Sequence, residues 1–230
     1  MRIIGNDPST PRQAQIVASG TLSTGDTVVV NADGTVSVVE GSAEAIGTPV
    51  VFNAGSTPNN INAVYDANSG KVVMVYQEGS VSGNAIVGTV SGTSITFGTE
   101  VVFKNTQIAY NSSVYDPIAE KVVIIYADSI NSNYGNAIVG TVSGNSISFG
   151  SPVVFKSSSV EWLGITYDFS AGSVVVAYKD SNNSDYGTAI VGAVSGTSIS
   201  FGTPVVFESS NFFYTALAYD SNAQKVVIAY

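Results

Sequence analysis

The chain predicts an all-β fold, a β-propeller-like array of four-stranded blades. Three observations carry that prediction. One line of twenty-one residues is written three times, as GNAIVGTVSGTSITFGTEVVF at 83–103, GNAIVGTVSGNSISFGSPVVF at 135–155 and GTAIVGAVSGTSISFGTPVVF at 187–207. The copies recur at about 50 residues, the period of a propeller blade. No segment sustains a period of 3.6, so almost no helix is expected.

Residues 1–25 stand outside the repeat and predict an extended docking arm. They hold both arginines of the chain, Arg2 and Arg12, with Pro8 and Pro11. Arg2 and Arg12 against Asp7 give this arm a net charge of +1, which leaves −10 on the remainder. A mildly basic arm ahead of an acidic domain is the pattern of a segment that grips something else.

The repeat domain spans 26–230. Its first part, 26–56, is a half-blade, because GTVSVVEGSAEAIGTPVVF (34–52) aligns with the last two strands of the next unit. Glu44 stands where Ile95 stands in that unit, so this strand is expected to be irregular. Whole blades follow at 57–107, 108–159 and 160–211, and a second half-blade at 212–230. In the third whole unit the predicted strands are 163–167, 174–179, 188–194 and 198–207, rich in Val, Ile, Thr, Tyr and Phe. The V-S-G-T/N-S segments read as tight hairpin turns. YDANSGK and YDSNAQK read as loops opened by an Asp that bonds its own backbone. If the two half-blades pair, Val28–Phe52 with Leu217–Tyr230, four blades close a ring and no strand edge stays open. A fragment of a longer array is the rival reading.

Composition excludes several function classes. The chain carries a net charge of −9 and only 11% charged residues, so no nucleic-acid partner is expected. No apolar run reaches the length of a membrane span. With no Cys and no His there are no disulfides, thiolate nucleophiles or His-based triads, and no zinc site of the usual kind. The repeats contain no arginine to clamp an acidic sugar. Their acids Asp66, Asp116, Asp168 and Asp220 stand in equivalent turns, where each has an architectural role. The chain therefore reads as non-enzymatic, without cofactor or metal.

The unit YDxxxxKVVIxYxDSxNSxYGxAIVGTVSGTSISFGTPVVF resembles repeats in virion structural proteins of tailed phages, those of marine and cyanobacterial hosts in particular. ASGTLSTGDTVVVNADGTVSVV (18–39) is similar to the start of capsid-decoration and head-fibre proteins. The repeat resemblance covers about 28–230, and similar strings also occur in bacterial surface proteins. What it implies is a virion-located protein in many copies or as a homo-oligomer. Such a protein would dock on capsid or tail proteins through its arm and turn a repeat domain outward. A bacterial carbohydrate-binding adhesin or lectin of propeller type, on an extracellular surface, is the alternative. The resemblance carries over no catalytic residue.

Alignment on the Tyr-Asp pair places Tyr110, Trp162 and Tyr214 in one column, with Asn60 in the first unit. Phe212 and Phe213 lie beside its last member. Such a column either caps the core or forms a platform on which host-surface sugar rings stack. The loops ADSINSNYG (127–135) and KDSNNSDYG (179–187) offer oxygen ligands but no complete calcium-loop spacing, so they read as hydrogen-bonded hairpin loops. Tyr134 and Tyr186 within them are candidate contact residues.

Overall fold

A computed structural model describes residues 17–23, 27–38, 46–53 and 57–230. The chain divides into two compact units, 1–47 and 48–230. Arg2 and Arg12 of the expected arm lie outside the described residues. In the first unit, β1 (Val28–Val30) pairs antiparallel with β2 (Val36–Val38), Val30 opposite Val36. Asp33 Oδ1 accepts from the Thr35 N–H at 2.9 Å and from its hydroxyl at 2.7 Å, and Gly34 turns the chain at φ +82°.

The second unit repeats one plan. β3 (Pro58–Asp66), β4 (Lys71–Glu78) and β5 (Ser82–Ser91) form an antiparallel meander. Two short strands in line fill the fourth position, β6 (Ser94–Phe97) along the end of β5 and β7 (Val101–Lys104) along its start. The single fourth strand expected from sequence is thus broken at Gly98–Glu100, and at the prolines of the later copies, which cannot donate to a ladder. The next blade follows with β8 (Ile108–Asp116), β9 (Lys121–Asp128), β10 (Tyr134–Ser143) and β11 (Ser146–Phe149). Its last strand runs on without a break. β12 (Val153–Asp168) pairs with β10 through Ser159 and, from Val160, with β13 (Ser173–Asp180) of the following blade. β14 (Tyr186–Ser195), β15 (Ser198–Phe201) and β16 (Val205–Glu208) complete that blade. β17 (Ala216–Asp220) and β18 (Lys225–Ala229) begin another.

The regular structure of the described residues is almost all β, 62% strand against 1% helical, with one 3-10 turn at Ser129–Asn131, and the sheet curls into a half-barrel. A full ring of four blades is not shown by the pairings among the described residues, in which β1 pairs with β2 and β17 with β18, each as a two-stranded sheet.

Turn chemistry agrees with the sequence at each repeat. Asp66, Asp116, Asp168 and Asp220 each accept the N–H groups two and three residues on, at 2.9–3.2 Å. Gly92, Gly144 and Gly196 open the two-residue hairpins at φ +57° to +60°, a conformation that favours glycine.

The same KVVI string differs in burial according to its place. KVVIIYAD in β9 is buried from Val122 to Asp128, whereas KVVIA in β18 is half-buried to exposed. Val122, Ile124 and Tyr126 pack toward the preceding blade, and Val123, Ile125 and Ala127 toward the following one. The middle blade is therefore covered on both faces. A Phe–Tyr contact ties each blade to the one before it: Phe52–Tyr76, Phe103–Tyr126, Phe155–Tyr178 and Phe207–Tyr230, with centroids 5.2–5.6 Å apart.

Burial pushes the phenols of Tyr126 and Tyr178 well above the usual tyrosine range, and Asp128 and Asp180 add to the shift. An unfolded chain loses these protons near pH ~10, whereas the folded one keeps them. The stability they contribute is therefore complete below that pH and falls as pH rises beyond it. Alkaline titration followed by tyrosinate absorbance is expected to release these phenols together with unfolding, after the exposed tyrosines.

Candidate functional site

The aromatic column sits on a repeated irregularity. Within the first strand of each whole blade the register slips, between Asn59 and Asn62, Ala109 and Ser112, and Glu161 and Gly164. Two residues there face a single partner residue, so the strand bulges. The first residue of each pair takes a left-handed φ: Asn60 +48°, Tyr110 +49° and Trp162 +52°, and Tyr214 follows at +49°. Asn tolerates that region, but a bulky aromatic in it is an outlier costing about 1–3 kcal/mol. Bulges of this kind re-aim side chains. Here they turn Tyr110 and Trp162 out of the pleat, and with Tyr214, which precedes β17 outside any strand, the three rings form one continuous cluster. The rings of Tyr110 and Trp162 lie 5.3 Å apart, and those of Trp162 and Tyr214 4.3 Å apart.

This cluster walls a cavity of about 240 Å³ lined by Asn60, Tyr110, Asn111, Trp162, Leu163, Tyr214 and Thr215. Trp162 and Tyr110 are half-buried, while Tyr214 is exposed. Four side-chain atoms at its wall are buried with no hydrogen-bond partner among the described residues: Asn111 Nδ2 and Oδ1, Trp162 Nε1 and Thr215 Oγ1. Leaving such groups unpaired costs about 1–3 kcal/mol each, so a concentration of them in one cavity calls for explanation. In the first blade the column position is already engaged, because Asn60 Nδ2 donates to Gln77 Oε1 at 3.0 Å.

One ion-pair cluster stands near the Tyr110 wall of this cavity, and no charged residue lines it. The Lys179 ammonium lies 3.3 Å from both Glu161 and Asp185 and 5.0 Å from the Phe213 ring centroid. Burial raises the Tyr110 phenol above its ordinary value, and Glu161 raises it further.

Other residues singled out from sequence fall elsewhere. Phe212 is 1% exposed and packs between Phe207 and Tyr230, both at 5.4 Å, so it has no surface to offer a ligand. That expectation is corrected: its ring fills the space above Gly187. Phe213 is exposed beside Lys179. Tyr134 and Tyr186 open the third strands, half-buried, and do not line this cavity. The acids of the two Asn/Ser loops are held by lysine, Lys104–Asp128 at 2.7 Å and Lys156–Asp180 at 2.5 Å. Among the described residues no group of three His, Cys, Asp or Glu could hold a metal ion. Two larger depressions, about 670 and 360 Å³, flank Phe169 and are walled by residues around the Tyr-Asp turns.

Asn111 and Thr215 escaped the sequence reading. A signal for them was present, since the residue after the column reads Ile61, Asn111, Leu163, Thr215. Polar residues thus replace apolar ones twice in this position, which the fold buries at Asn111 and Leu163. No protein-family model matches the chain, and no curated protein or solved structure matches it, so the geometry of this cavity stands alone as the guide to its use.

Proposed function

We propose that the chain is a non-catalytic virion structural protein of a tailed phage, a capsid decoration, head fibre or tail fibre. In this reading it docks through residues 1–25 and displays its β repeats for weak, multivalent contact with host-surface glycans. The observation that carries the binding half is the aromatic column: three rings held at strained left-handed φ values around a cavity with unpaired polar atoms. Strain kept in successive repeats points to a use for the side chains it aims. Flat rings beside hydroxyl-matching groups suit sugars, which have apolar faces and polar rims. The resemblance of the repeat and of 18–39 to virion proteins supports the other half. Many copies on one particle would multiply weak contacts into firm attachment. A free bacterial lectin of propeller type is the second reading, supported by the same column.

Trp162→Asn tests the binding half. Asn suits the left-handed backbone and already fills this position in the first blade, so the domain should stay folded. Loss of an aromatic stacking partner is worth about 1–3 kcal/mol per site where measured on nucleobases. Adsorption to host cells or their purified polysaccharide should fall about 5- to 150-fold. Unchanged adsorption would reject the column as the contact surface. Deleting residues 1–25 separates the two readings: a virion protein would drop out of particles, whereas a free lectin would bind polysaccharide as before.

A further inference from the structure

We propose that the bulge cavity is a subsite for a neutral sugar ring, in which the Asn111 amide reads two adjacent hydroxyls beside the Trp162 ring. This rests on the glycan-contact reading above and names the class of glycan. Asn111 is 9% exposed, and neither atom of its amide has a partner among the described residues. An amide presents a donor and an acceptor side by side, and a vicinal diol answers with one oxygen accepting and the other donating. Trp162 Nε1 adds a donor and Thr215 Oγ1 a group that does either, both also unpartnered at the same wall.

None of these four atoms carries charge. The neighbouring cation, Lys179, is already shared between Glu161 and Asp185, each at 3.3 Å. A carboxylate or sulfate on the sugar would therefore meet no free cation among the described residues, and would stand near the Glu161 carboxylate that already acts on the Tyr110 phenol. A neutral polyhydroxylated ring satisfies the wall without that penalty.

The repeat supplies its own control. Leu163 occupies in the next blade the position that Asn111 holds here, so the fold accepts an apolar side chain at this bulge. A buried amide kept where Leu fits weakens the empty domain, which is the usual trade at binding sites.

Trp162 is the single tryptophan of the chain, so its fluorescence and its indole N–H resonance report on this cavity alone. The full chain is titrated with methyl glucoside, methyl galactoside, N-acetylglucosamine and glucuronate. At least one neutral sugar should shift the indole signal, and glucuronate should bind at least tenfold more weakly. Asn111→Leu should weaken the neutral sugar about tenfold or more while raising Tm by a few degrees. Thr215→Val should give a smaller loss. An equal response to glucuronate overturns the neutral selectivity. A lower Tm in Asn111→Leu with an unchanged titration identifies a structural amide and overturns the subsite. If host adsorption depends on Trp162 but not on Asn111, the column remains a contact surface and the subsite falls; if it depends on neither, both readings fall.

Discussion

Gly150→Ala is expected to destabilise the repeat domain by about 3 kcal/mol or more, at the upper end of what overpacking costs. A Cβ at Gly150 would lie 1.9 Å from the carbonyl oxygen of Thr197, in the hairpin turn of the next blade. The clash is with main chain, which has no rotamer to escape into. Nor can the glycine retreat, because its N–H is bonded to Val139 O at 2.9 Å within its own blade. Relief requires the blades to separate and their shared apolar face to open. Gly98→Ala should behave alike, since a Cβ there would meet Asn145 O at 1.8 Å. Gly202 provides the control. It makes the same bond to its own blade, to Val191 O at 2.9 Å, yet a Cβ would meet nothing closer than 3.8 Å. Gly202→Ala should stay within about 0.5 kcal/mol of the parent. Urea unfolding of the three variants checks this, and equal losses at all three positions would refute the stacking of blades through their glycines.

That contrast marks how much could be read in the sequence. Strands, hairpin turns and the Asp loops were legible, because each follows from local chemistry: β-branched runs, a glycine at positive φ, a carboxylate reaching two or three residues forward. The column of Tyr110, Trp162 and Tyr214 was legible as a column, because the repeat itself aligns it. Its geometry was not. A bulge leaves no mark in an alternation of apolar residues, so neither the left-handed φ values nor the contact of Trp162 with both tyrosines could be read. Asn111 was missed for the opposite reason. In one dimension it looks like any polar residue in a loop-rich chain, and only its burial makes it unusual. Phe212 failed similarly: its neighbour Phe213 is exposed, and sequence does not say which of two adjacent rings turns inward.

Removing Lys156 is expected to be the other severe change. Its Nζ lies 2.5 Å from Asp180 Oδ2, and that carboxylate side chain is only 4% exposed. Asp180 Oδ1 accepts from the Asn182 N–H at 3.2 Å, so loop and ion pair are one structure. Lys156 stands in β12 where the strand is still the outer member of one blade, four residues before it becomes the inner member of the next. Asp180 ends β13 of that next blade, so the pair fastens the crossing. Lys156→Met would leave a buried carboxylate without its cation, which costs about 3–5 kcal/mol. The reverse change should cost less, because the lysine is 25% exposed and can turn to water once Asp180 is replaced by Leu. The double variant Lys156→Met/Asp180→Leu should then recover much of the loss, since no charge remains to be desolvated. A double-mutant cycle by urea unfolding measures these terms. If Lys156→Met costs no more than Asp180→Leu, the carboxylate has another source of compensation and the pair is not what secures the crossing. If the predicted asymmetry appears, the same cycle at Lys104 and Asp128 should reproduce it one blade earlier, where the ammonium lies at 2.7 Å and Asn131 Nδ2 also donates to the carboxylate at 2.8 Å. Each carboxylate keeps one donor besides its lysine, the Asn182 N–H at Asp180 and Asn131 Nδ2 at Asp128, so the losses at Lys156→Met and Lys104→Met should be comparable.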